Sequence, residues 1–140
     1  MCLEFSEPLK KSIKKEHGEY VGWKIYKIPR SFDKNKKLKP QYIGKDQKVG
    51  EWLYERRHIL YDKITHIRFG NQRGMYHVGF HIYLYRNDAL TYSRSGDECV
   101  RKVYFRKMLE TGWQNNRRVI VARYLKILRI RTPKEKRRSR

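Results

Sequence analysis

Hydrophobic and polar residues alternate in several stretches of this chain, and such alternation is typical of half-buried β-strands. The pattern is clear within 20–28 and again within 98–106. The segment 118–131 gives the strongest strand signal, because its first half, VIVA, is apolar on both faces, as in a central strand. We therefore expect three strands over these segments.

The middle of the chain is less regular. Residues 49–69 place apolar side chains where they would share a helix face, whereas their β-branched and aromatic content favours strands, so we favour a strand at 63–69. GNQRG at 70–74 predicts a turn, and the strand predicted at 75–85 would pair with 63–69 as a hairpin. A loop is expected near 112–116.

Helices and loops account for the rest. One short helix is compatible with 1–19, and another would follow an N-cap at Asn87 or Asp88 and stop near Gly96. Residues 29–48 predict a basic loop, because they contain two prolines and few apolar residues.

The length of 140 residues fits one domain. We expect an α+β domain over 1–132, built on a single, mostly antiparallel sheet of five or six strands with one or two short helices. Residues 133–140 predict a flexible basic C-terminal tail.

The net charge of the chain gives the clearest indication of a binding partner. The chain has 35 Lys and Arg against 14 Asp and Glu, a formal net charge of +21. Charge of this size destabilises a compact state by self-repulsion, and a polyanion relieves that repulsion. The pattern favours nucleic acid, DNA or RNA, as the partner, with an acidic protein surface as the alternative.

Other features bear on the compartment. The two cysteines, Cys2 and Cys99, are too few for a secreted disulfide scaffold, and no apolar run reaches transmembrane length. The N-terminal segment also lacks the apolar stretch of a signal peptide. The sequence therefore predicts an intracellular protein that is not secreted.

Basic residues in three places are candidates for non-specific phosphate contacts, because Lys and Arg on extended segments bind phosphates without reading bases. The loop contributes Arg30, Lys34, Lys36, Lys37, Lys39, Lys45 and Lys48. The tail contributes Lys136, Arg137, Arg138 and Arg140, and it also fits a nuclear-localisation signal. The last two strands contribute Arg101, Lys102, Arg106, Arg117 and Arg118.

Aromatic residues interleave with basic ones in two strands. The examples are Tyr83, Tyr85 and Arg86, then Lys102, Tyr104 and Arg106. Exposed aromatics on a sheet can stack on bases, whereas buried ones only fill the core; for any single ring the core is the expected place.

Enzymatic chemistry has two candidate residues, His81 and Cys2. His77 and His81 would lie about 13 Å apart on one strand face, too far to share a metal, so neither a metal nor a cofactor is expected. Cys2 would become an N-terminal nucleophile if Met1 were removed. The sequence contains no catalytic motif around either residue.

Several motifs occur in a characteristic order. A Met-Cys-Leu start precedes Tyr26-Lys27 and a Lys-Pro-x-Tyr segment, and a Gly-Phe-His-Ile-Tyr strand at 79–83 is followed by Asp88-Ala89 and a closing hydrophobic strand. This order resembles a group of small, mostly uncharacterised proteins of bacteriophages and large DNA viruses. The resemblance implies a viral origin, and with it a place in the host cytoplasm or nucleus or inside a virion. It also implies a likeness to ADP-ribosyltransferase-like folds, in which a His or Arg holds NAD, and His81 would be the matching residue.

Three functions remain open. The leading hypothesis is a non-catalytic viral protein that binds nucleic acid non-specifically through phosphates. The second is a minor structural component of a virion or ribonucleoprotein assembly. The third is an enzyme, either ADP-ribosyltransferase-like or dependent on an N-terminal Cys2.

Overall fold

The computed structural model describes most of the chain between residues 13 and 130. The described ranges are 13–28, 36–41, 45–57, 60–65, 72–77, 79–94, 96–114 and 117–130. The predicted tail at 133–140 lies outside them.

Ten strands and one helix make up the described part of the chain. The first five strands are β1 (Lys15–Glu16), β2 (Glu19–Lys27), β3 (Lys37–Pro40), β4 (Gln47–Lys48) and β5 (Trp52–Tyr54). The remaining elements are β6 (Leu60–Thr65), β7 (Gln72–His77), β8 (Phe80–Tyr83), α1 (Arg86–Tyr92), β9 (Glu98–Gln114) and β10 (Arg117–Ile127).

Four strands close into a ring. β2 pairs with β9, β9 with β10, β10 with β8 and β8 with β2, and every pair is antiparallel. β1, β3, β4 and β5 extend this sheet to eight strands. Val49 adds a parallel single-residue bridge to Ile127, and with that bridge counted as a strand the sheet has nine. β6 and β7 form a separate two-stranded sheet.

The predicted α+β class with a single sheet of five or six strands is therefore wrong. The described chain is mostly strand, carries one short helix and closes four of its strands into a small barrel. Closure follows from the length of β9, which pairs with β2 over residues 98–105 and with β10 over residues 103–114. A closed sheet leaves few unpaired backbone groups, which stabilises it without extra helices.

Several element predictions need the same correction. Within the described residues, the proposed helix at 1–19 is replaced by a hairpin, whose turn at His17 and Gly18 has φ of 51° and 78°. The predicted loop at 29–48 contains β3 and β4. Residues 112–114 of the loop predicted near 112–116 belong to the end of β9. The predicted long strand at 75–85 is divided between β7 and β8.

Other predictions are confirmed. β2 and β10 match the strands read from alternation. The middle segments do form a hairpin, the β6–β7 pair, but its second strand begins at Gln72, so the turn predicted at 70–74 is wrong over 72–74. The helix expected through Ala89 is α1, although its N-cap position is Tyr85, without a side-chain cap hydrogen bond.

Two clusters of buried side chains form the core. The barrel interior contains Tyr26, Leu38, Ile82, Val103, Phe105, Ile120, Ala122, Leu125 and Ile127. A smaller cluster lies outside the ring, where α1 packs on it through Ala89; its other buried members are Ile25, Tyr83, Val119 and Val121. Val119–Ala122 is buried on both faces of β10 because both sides of that strand are covered, as the VIVA pattern predicts.

Candidate nucleic-acid interface

Four lysines lie together on the outer face of β2, β3 and β4, and we call them the lysine cluster: Lys27, Lys37, Lys39 and Lys48. Lys27 is the register partner of Lys39, and Lys37 is the partner of Lys48. All four residues are exposed. Directly opposed residues in an antiparallel pair have Cβ atoms about 5 Å apart, so these side chains start as close neighbours.

The alternation of β3 produces this arrangement. Leu38 and Pro40 are buried against the barrel, so Lys37 and Lys39 point outward. On the inner side the Tyr26 hydroxyl donates a hydrogen bond of 2.6 Å to Oε1 of Gln47, the register partner of Leu38. The buried side of the β3–β4 hairpin therefore fixes which residues the outer side presents.

The lysine cluster takes no part in the ion pairs of the described ranges. The ion pairs there join Glu55 to Arg57, Glu16 to Lys102, Glu19 to Arg106 and Asp88 to Arg117, and none includes a member of the lysine cluster. Glu98 lies opposite Lys27, but its Oε1 accepts hydrogen bonds from the Gln41 side chain and the Arg94 backbone amide. The lysine cluster therefore concentrates positive charge, and directly opposed like charges destabilise a sheet.

Two more predicted residues, Lys36 and Lys45, are exposed and border the cluster in sequence. The structure thus brings Lys36, Lys37, Lys39, Lys45 and Lys48 onto one hairpin, and it adds Lys27 from β2. Arg30 and Lys34 of the same predicted group lie outside the described residues.

A second outer surface carries aromatic side chains. We call it the aromatic face: Trp52 and Tyr54 of β5, Tyr124 of β10 and Tyr104 of β9. Tyr124 is the register partner of Tyr54 on one side and of Arg106 on the other. Lys126 is likewise flanked by Trp52 and Tyr104, so three neighbouring strands present rings and cations in register.

The contacts on this face are close. The Tyr54 and Tyr124 rings stack with centroids 4.9 Å apart, and Tyr54 remains 43% exposed. The Arg106 guanidinium carbon lies 3.9 Å from the centre of the Trp52 ring, and the Lys126 ammonium lies 6.0 Å from the same ring. Such contacts are cation–π interactions.

Two of the predicted phosphate ligands on β9 are paired with carboxylates. Lys102 bonds to Glu16, and the hydrogen bond from Lys102 lowers the pKa of the Glu16 carboxyl. The Arg106 guanidinium bonds to both oxygens of Glu19, which lowers the pKa of Glu19 and raises that of Arg106. This part of the surface therefore carries far less net charge than its cations alone suggest.

The other predicted residues are dispersed. Arg101 faces the barrel interior at 4% exposure, where its guanidinium donates a 2.6 Å hydrogen bond to the Leu128 carbonyl. Burial lowers its pKa. Arg117 is exposed and pairs with Asp88 at 3.7 Å, beside the half-buried Arg118. The tail residues Lys136, Arg137, Arg138 and Arg140 lie outside the described residues.

Of the two residues considered for enzymatic chemistry, the structure describes only His81. His81 lies half-buried on β8, and its carbonyl accepts a hydrogen bond from the Lys24 ammonium at 3.3 Å. Cys2 lies outside the described ranges. Within those ranges, no group of three His, Cys, Asp or Glu side chains could hold a metal ion, and no helix is long and apolar enough to cross a membrane.

Comparison of the chain with protein-family models, with curated proteins and with solved structures finds no match.

Sequence reasoning missed part of both surfaces. Lys27 ends the strand predicted at 20–28, but it shares the strand phase of the apolar residues Val21 and Ile25, and its neighbours on β3 were assigned to a loop. Trp52 was assigned to a possible helix face, whereas Tyr124 and Lys126 were read only as parts of a strand. The pairing of β5 with β10 is the observation that brings these residues together.

Proposed function

We propose that this protein binds nucleic acid without sequence preference, through phosphate contacts made by the lysine cluster. One observation carries the proposal: two directly opposed lysine pairs lie side by side, and no ion pair within the described ranges includes them. Such an arrangement costs stability in the free protein. A phosphate placed between opposed ammonium groups replaces that repulsion with attraction.

The chemistry of lysine favours non-specific contacts. Each ammonium is a point charge on a flexible stem, so it follows a phosphate backbone without fixing a base. Neutralised phosphates release condensed counterions, and affinity then falls as salt rises. The net charge of +21 and the isoelectric point of about 10.2 support a polyanionic partner over a neutral one.

The viral resemblance, as part of the same proposal, makes the partner a viral genome or viral RNA. Basic segments outside the described residues would add contacts: Arg30 and Lys34 next to β3, and Lys136 to Arg140 at the end of the chain.

The test measures the salt dependence of binding. Affinity for a 20-base single strand and a 20-base-pair duplex is measured by fluorescence anisotropy across a series of salt concentrations. One variant replaces all four lysines of the cluster with glutamine. The matched control removes the same charge from exposed positions outside both surfaces: Lys14, Arg56, Arg86 and Arg94.

The cluster variant should bind weakly, and its slope of log affinity against log salt should flatten by about 3 to 4 for the duplex, at about 0.9 per lost contact. The control should keep most of the slope. Urea denaturation should show that the cluster variant is at least as stable as the parent, because like-charge repulsion is gone. Equal losses in both variants would contradict the proposal, since they would mean that the charge acts diffusely.

The assembly hypothesis gives a different result in the same experiment. A component that docks on an acidic protein shell would bind neither oligonucleotide at moderate salt, yet would copurify with particles. That outcome would replace nucleic-acid binding by a structural role.

A further inference from the structure

We infer that the aromatic face is a base-stacking platform, so that the preferred partner is single-stranded nucleic acid. This inference rests on the proposed function and adds to it the strandedness of the ligand and a second contact surface.

The aromatic face presents its rings to the outside in a fixed array. Tyr54 and Tyr124 are neighbours across β5 and β10, and Tyr104 follows on β9. Tyr54 is 43% exposed, whereas Tyr104 and Tyr124 are half-buried. Every base offers a π-face, so an array of tyrosines binds bases without sequence preference.

Buried hydrogen bonds hold the array in place. Arg123 is 3% exposed, and its Nη1 donates to the backbone carbonyls of Glu55 and Arg57 at 2.8 and 3.2 Å. These bonds anchor the chain directly after Tyr54. A ring that is already ordered loses little conformational entropy on binding, which favours stacking.

The charge of the aromatic face fits bases better than phosphates. Glu16 and Glu19 pair with Lys102 and Arg106 on its β9 side, and the Arg106 guanidinium also covers part of Trp52. The lysine cluster, in contrast, has no ion pair with any described carboxylate. The two surfaces therefore suit different parts of the ligand: the lysine cluster suits the phosphate backbone, and the aromatic face suits the bases.

A duplex cannot stack its bases on the aromatic face, because those bases are already stacked on one another and show only their edges. A single strand exposes both its phosphates and its base faces. β2 connects the two surfaces, since Glu19 borders the aromatic face and Lys27 belongs to the lysine cluster. Eight residues of strand separate them, a span of about 26 Å. α1 packs over Ile25 on the outer face of β2 between them, so a single strand that contacts both surfaces passes around this helix.

The experiment uses Tyr54→Ala, with two matched controls. Tyr54→Phe keeps the ring and removes the hydroxyl. Tyr85→Ala removes a ring that is 50% exposed but lies beside α1, away from the aromatic face. Affinities for a 20-base oligothymidine and for a 20-base-pair duplex are measured across a series of salt concentrations, which gives the salt slope, and are compared at one concentration.

Tyr54→Ala should weaken oligothymidine binding by about 5- to 100-fold, the effect of losing one base–aromatic stack, and leave the salt slope unchanged. Duplex affinity should stay within about twofold of the parent, as should oligothymidine binding by the two controls. The parent itself should prefer the single strand to the duplex.

Two results would overturn the inference and leave the proposed function intact. In the first, Tyr54→Ala binds oligothymidine like the parent while the lysine-cluster variant loses affinity. In the second, Tyr54→Ala changes only the sedimentation behaviour of the protein, so that the aromatic face is a contact between copies of this chain. Failure of the parent to bind either oligonucleotide would instead remove the proposed function as well.

Discussion

Lys24 provides a quantitative test of the barrel interior. It lies on the inner side of β2, opposite Arg101 on β9, and its ammonium donates to the His81 carbonyl at 3.3 Å. Burial lowers the pKa of Lys24 from 10.5 to about 8. The folded state therefore disfavours the charged form, and we expect Lys24→Met to stabilise the protein at neutral pH.

The magnitude follows from the pKa difference. Between pH 8 and 10.5 the unfolded chain holds a proton that the folded protein has lost, so wild-type stability rises with pH in that window. Below pH 8 the cost of the buried charge is fully present, at about 3 kcal/mol. Loss of the hydrogen bond to His81 offsets about 1 kcal/mol, which leaves a gain of about 2 kcal/mol for Lys24→Met at pH 7.

The assay is urea denaturation of both proteins at pH 7 and pH 10 under reducing conditions. The stability difference between the variant and the parent should fall from about 2 kcal/mol to near zero, because the parent's Lys24 is largely neutral at the higher pH. Comparing the two proteins at each pH cancels the titration of all other lysines. An equal stability difference at both pH values would refute the claim that burial lowers the pKa of Lys24.

Two further predictions concern packing and charge. Gly22→Ala should lower the free energy of unfolding by about 1 to 3 kcal/mol in urea denaturation, because its Cβ would overlap Cγ2 of Ile82 inside the barrel; unchanged stability would mean that β2 can shift. Glu19→Gln should strengthen oligothymidine binding and steepen the salt slope by about 0.7, because it releases the charge of Arg106 for a phosphate. A flatter slope would contradict that role of Glu19.

Local pattern was sufficient for the strands with regular alternation. Residues 20–28 and 118–131 were recognised as strands because burial on one or both faces selects side chains with a period of two. The same alternation puts Arg101 on one strand face with Val103 and Phe105, and all three are buried. Strand phase therefore turns Arg101 away from the surface, where a phosphate would bind.

Short strands were not recognised, because their stability comes from partners distant in sequence. β3 and β4 are rich in lysine and have low intrinsic strand preference. They are strands because Leu38 packs into the barrel and Tyr26 bonds to Gln47. Trp52 was assigned to the wrong element for the same reason. Its segment by itself fits a helix, and only the pairing of β5 with β10 makes it a strand.

The sequence by itself determined the excess of positive charge, the main strands and the basic character of residues 36–48. Only the tertiary structure decided which charges stand together and which are neutralised. Lys27 meets Lys39 through strand register, and Arg106 meets Glu19 across 87 positions of chain. Strand register fixes both contacts, since a shift of one residue would turn every side chain of the shifted strand to the opposite face.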